Sequence, residues 1–192
     1  MPKLGMQPIR RKALVQATIV EIGATGSLDV TVGQIARRAG MSSALAHHYF
    51  GGKDQIFLAA MRHILTAYGQ TIRAALVGAT DPRDRLNRIL RANFAPANFR
   101  PEVIGAWLTF YVHAHTVPEA ERLLRVYQRR LRSNLLHGLR PLCGARAEEV
   151  ACLLGALIDG LYLRTALGQG PDGPAAADQV CDVLDRLLEM RR

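Results

Sequence analysis

Residues 42–53 read Ser-Ser-Ala-Leu-Ala-His-His-Tyr-Phe-Gly-Gly-Lys. Two imidazoles and a phenol in one short stretch can donate hydrogen bonds to phosphate oxygens or base edges. Ser42 and Ser43 can do the same, and Ala44 and Leu45 offer apolar contact to thymine methyls. Lys53 stands where a new helix would begin, and free backbone N–H groups there favour an anion. Thr31 and Arg37 lie just upstream. In the first 54 residues Lys3, Arg10, Arg11, Lys12, Arg37, Arg38 and Lys53 outnumber Glu21, Asp29 and Asp54, seven against three. Arg37-Arg38 alone would read as a solvated helix face, and His47-His48 alone as surface residues. Together with Tyr49 and Lys53 they fit a phosphate backbone. A metal site on His47 and His48 is not expected, because adjacent helical residues point about 100° apart.

A second group could recognise a cation. A quaternary ammonium has no N–H donor, so its recognition rests on aromatic faces, often with a carboxylate nearby. The chain holds five Phe, five Tyr and one Trp. Trp107 and Tyr111 are i,i+4 and share a helix face, as do Asp159 and Tyr162 three residues apart. A cage of Trp107, Tyr111 and Tyr162 with Asp159 as counter-charge is chemically coherent. The same spacing is what a plain core uses, and Asp159 also fits a helix brace, so spacing alone favours the plain core. Cys143, Cys152 and Cys181 show no metal-ligand spacing and read as buried free thiols.

The elements that must position these residues are helices. Sustained period-two alternation is absent, and three-to-four periodicity runs throughout. Ile9, Ala13, Ala17, Val20 and Ala24 mark a first helix stopped by Gly26. Thr31 with Gln34 forms a capping box for a short helix through Ala39, stopped by Gly40. Ser42 caps a second short helix that ends at Gly51-Gly52. Two short helices joined by a glycine turn are the helix-turn-helix pattern, whose second helix fits the major groove of DNA. A long amphipathic helix follows from Lys53 to about Val77. Further helices are expected over 82–95, 102–115, 118–139, 147–168 and 174–190, separated by proline or glycine breaks. The fold class is all-α. An N-terminal three-helix domain, 1–53, carries the helix-turn-helix and joins a C-terminal helical domain, 54–192.

Composition agrees. The 192 residues are 49% hydrophobic, enough for a substantial core. Lys and Arg number 25 against 16 Asp and Glu, a net charge of +9 that favours a polyanionic partner, nucleic acid or anionic membrane surface. No uncharged apolar run reaches the ~18 residues of a spanning helix, and residues 1–6 lack the apolar core of a signal peptide. The expectation is a soluble, cytoplasmic protein with no membrane partner. Phosphate loops, HExxH and GxSxG motifs are absent, and His113 and His115 have no nucleophile or carboxylate pair beside them in sequence. Neither catalysis nor a cofactor is expected.

The run Gln34-Ile35-Ala36-Arg37-Arg38-Ala39-Gly40-Met41-Ser42, with His48-Tyr49-Phe50 and Lys53, resembles the DNA-binding motif of the TetR family. Ala44 stands where that family often has glycine, and His47 where a phosphate-contacting tyrosine is common. The opening Met1-Pro2-Lys3-Leu4-Gly5-Met6-Gln7 and Ile9-Arg10-Arg11 are similar to the choline-responsive repressors of glycine betaine synthesis. So are residues 106–110, 133–135 and 156–164. The resemblance implies a repressor that binds double-stranded operator DNA as a homodimer through its last two helices, with choline as effector. It implies DNA binding for the domain 1–53, ligand binding and dimerisation for the domain 54–192, and phosphate contacts for Tyr49 and Lys53. A TetR-type regulator of efflux or catabolism, with another hydrophobic or cationic effector, is the alternative.

Overall fold

The computed structural model describes residues 6–190; Lys3 and the rest of the opening run through Gly5 lie outside the described residues. Nine α-helices, and no strand, are found among the described residues. They are α1 (Met6–Thr25), α2 (Val32–Arg38), α3 (Ser43–Phe50), α4 (Lys53–Ala75) and α5 (Pro82–Asn93). After these come α6 (Pro101–Thr116), α7 (Pro118–Cys143), α8 (Ala147–Ala166) and α9 (Gly173–Glu189). The chain divides into two compact units, one of residues 1–65 and 101–123, the other of residues 66–100 and 124–192.

In the first unit α1 packs on α6 and α2, and α2 packs on α3. The expected capping box is present. The Thr31 hydroxyl accepts from the Gln34 N–H at 3.2 Å, and the Gln34 side chain accepts from the Thr31 N–H at 2.7 Å. Gly40, with φ +67°, makes the turn between α2 and α3, where a side chain would be strained. Leu14, Ile35, Ala46 and Ile56 are among the unit's fully buried side chains. The apolar face of α1 differs from the alanine-weighted stripe read in the sequence. Leu14, Val15, Ala17, Ile19 and Ile22 are buried, whereas Ile9 is 62% exposed and Ala24 is exposed. The larger side chains turn α1 inward because burial scales with apolar area, which alanine has little of.

In the second unit α5 and α8 each pack on α9. Leu86, Ile89, Leu90, Leu139, Leu154, Ile158 and Leu184 form its core. Asp81 caps α5 by accepting from the Asp84 N–H at 2.9 Å, with Pro82 next to it in the first turn. Asp172 does the same for α9 through the Ala175 N–H. α7 runs four residues past the expected end at Leu139 and through Pro141. Proline there removes one amide donor from the last turn, and the exposed position of His137 leaves its carbonyl open to water. The cysteines are free, as expected, but only Cys181 is buried; Cys143 is half-buried and Cys152 exposed on α8. Burial raises the Cys181 and Cys143 thiols above their ordinary range, which keeps them protonated near neutrality.

Candidate nucleic-acid interface and effector site

α3 buries one edge and presents the rest. Ala46 and Phe50, four residues apart, point into the core, while Ser43, Ala44, His47 and His48 stand exposed. Leu45 and Tyr49 are half-buried at the margins, and the His48 and Tyr49 rings lie 5.5 Å apart. Ser42 caps the helix by accepting from the Leu45 N–H at 3.2 Å. Thr31 and Arg37 are exposed on the neighbouring helix and its cap. Lys53 opens α4, its ammonium 5.5 Å from the centroid of the Phe57 ring. The basic residues are not equivalent. Both Arg37 and Arg38 are exposed, but Arg38 is paired with Glu21 of α1 and braces α2 there.

The candidate effector residues fall in different units and are taken separately. In the first unit Trp107 is buried, with its ring 5.9 Å from Tyr111 and 6.1 Å from Phe110. In the second, Tyr162 packs 5.0 Å from Phe99 and 5.9 Å from Phe94. Its hydroxyl donates to the Asn93 carbonyl at 2.6 Å. Asn93 is also the anchor of Tyr68, whose hydroxyl donates to Asn93 Oδ1 at 3.0 Å, while Asn93 Nδ2 donates to the Ile89 carbonyl. Tyr68 stands edge-on to Tyr127 at 5.2 Å. Burial pushes both Tyr68 and Tyr162 hydroxyls well above the ordinary phenol range. Asp159, exposed on α8, adds to both shifts, so its charge is felt at two buried phenols. Tyr68, Asn93, Phe94, Phe99 and Tyr127 were not singled out from the sequence. The only signal was the place of Tyr68 on the amphipathic face of the long helix.

Two short capped helices, a tight glycine turn and an outward-facing second helix on a basic unit define a helix-turn-helix DNA-binding protein. Residues 14–60 match the family described as bacterial regulatory proteins, tetR family, and residues 82–189 match the BetI-type transcriptional repressor, C-terminal. The HTH-type transcriptional regulator BetI of Brucella suis biovar 1 is 53% identical over 186 residues, 96% of this chain and 93% of that protein. The protein of the same name from Rhizobium meliloti is 50% identical over 172 residues, covering 89% and 85%. Among solved structures, a transcriptional regulator from Saccharomonospora viridis in complex with choline is similar at TM-score 0.81 and 23% identity, covering 91% of this chain and 95% of that one. The chain belongs to the BetI-type repressors of the TetR family. It is a DNA-binding transcriptional regulator rather than an enzyme. Membership carries the family's partners: operator DNA, a small-molecule effector and a second copy of the chain. No helix among the described residues is long and apolar enough to cross a membrane.

Proposed function

We propose that this chain represses genes for the conversion of choline to glycine betaine, and that choline is its effector. The observation that carries the reading is the match of the effector half itself, residues 82–189, to the BetI-type C-terminal family. The chemistry of the second unit supports it. Tyr162 stands among Phe94 and Phe99, and aromatic faces are what a permanently charged ligand without N–H donors requires. Trp107 and Tyr111 offer the same aromatic chemistry in the other unit.

On the DNA side, Ser43, Ala44, Leu45 and His48 face base edges, while Tyr49 and Lys53 hold phosphates. Thr31, Arg37, Ser42 and His47 line the same interface. The protein acts in the cytoplasm, and the functional division falls at Lys53. The homodimer forms through α8 and α9, and α8 leaves Leu153 and Leu163 each 47% exposed beside its buried core face. Calorimetric titration with choline, betaine aldehyde and glycine betaine tests the effector: saturable binding of choline in preference to the other two is expected. Equal or absent binding of all three overturns the choline assignment.

A further inference from the structure

The C-terminal end of α3 is held from another helix. Arg11, near the start of α1, donates from Nη1 to the Tyr49 carbonyl oxygen. Its guanidinium carbon stands 4.3 Å from the centroid of the Phe50 ring. One guanidinium thus donates to the backbone while it stands over an aromatic ring, a combination suited to arginine and not to lysine. A helix of eight residues has half of its carbonyls without intrahelical donors. A cation at that end satisfies one of them and opposes the negative end of the helix dipole. Ser42 fixes the other end, and between the two only Ala46 and Phe50 are buried.

We infer that Arg11 is a positioning residue for base recognition: it fixes the roll of α3, and so the aim of Ser43, Ala44 and His48, instead of neutralising a phosphate. The inference rests on α3 as the base-reading helix. Base-edge hydrogen bonds tolerate displacements of only about 0.5 Å, so a helix this short, freed at one end, loses discrimination before it loses charge-driven affinity.

The test uses the full-length chain, a duplex selected by the wild type from a randomised library, and a scrambled duplex of equal length. Affinities are measured over a salt series, at a temperature where circular dichroism shows each variant folded. Arg11→Met is expected to lower the selected-to-scrambled affinity ratio about tenfold, while the salt slope stays close to that of the wild type. Arg11→Lys, which keeps the charge and a donor but not the guanidinium over the Phe50 ring, should give an intermediate ratio at the wild-type slope. It carries the test if Arg11→Met fails to fold. Phe50→Leu should move the ratio in the same direction without removing any charge. A slope reduced by about 0.9 at an intact ratio makes Arg11 a phosphate contact and overturns the proposal. So does an Arg11→Met variant with both quantities unchanged. A wild type without preference for its selected duplex overturns the base-reading assignment and the proposal with it.

Discussion

His63 lies on α4 with its Nε2 2.7 Å from the Gln16 side-chain nitrogen on α1. With the amide donating, the imidazole must be neutral and accept at Nε2, its proton on Nδ1. Burial first, and the Lys12 charge second, hold its pKa below the ordinary value of 6.5. The unfolded chain therefore binds this proton more readily than the folded one, and stability falls as pH drops through 6.5 toward the folded pKa. Melting curves from pH 7.5 to pH 5 should show His63→Gln losing less stability on acidification than the wild type. Parallel profiles would remove His63 as a source of acid sensitivity. Lys53 offers a contrast to Arg11. Its ammonium stands 5.5 Å from the centroid of the Phe57 ring at the opening of α4, where free backbone N–H groups favour an anion. Lys53→Ala should weaken selected and scrambled duplexes alike and lower the salt slope by about 0.9. An unchanged slope takes Lys53 off the contact surface.

At the scale of elements, α1 and α6 meet backbone to backbone. A Cβ on Gly23 would fall 2.4 Å from the Glu102 Cα, and one on Gly105 would fall 2.9 Å from the Gly23 carbonyl oxygen. Both obstacles are main chain, which cannot swing aside, so Gly23→Ala must separate the helices. The expected cost is about 1–3 kcal/mol, seen as a melting temperature lower by several degrees. A variant that melts with the wild type would mean the crossing yields cheaply. This contact also shows what sequence can convey. Caps are local chemistry, and Thr31, Gln34, Ser42 and Pro82 told where three helices begin. A glycine inside a twenty-residue helix signals close approach, but not which helix approaches. The aromatic cluster was beyond reach for the same reason. Tyr162 meets the Asn93 carbonyl across 69 residues, and no periodicity within α8 encodes that partner. The α1 face was misjudged because alanines fit either side of a helix and only packing selects between them.

At the scale of the molecule, α6 belongs to the same compact unit as the helix-turn-helix, although the chain reaches it only after α4 and α5. Trp107 is the single tryptophan and lies within that unit, so its emission reports on the body that carries α3. Oligomeric state is read first: sedimentation should give twice the 21.1 kDa chain mass, and a monomer that still binds one palindromic duplex would exclude the α8 and α9 interface. With the dimer in hand, choline is expected to change Trp107 emission saturably. Trp107→Ala should weaken choline binding by the cation–π contribution, roughly 0.5–2 kcal/mol, plus lost apolar contact. It should leave DNA affinity in the absence of choline nearly intact, since a buried Trp107 cannot itself touch DNA. Linkage adds a constraint that does not depend on the route between sites. The factor by which choline changes affinity for the selected duplex must equal the factor by which that duplex changes affinity for choline. Emission and DNA affinity that both ignore millimolar choline would remove choline as the effector and leave family membership untouched. A response in emission with no change in DNA affinity would make choline a ligand that does not regulate, because only differential affinity for the two states moves their populations.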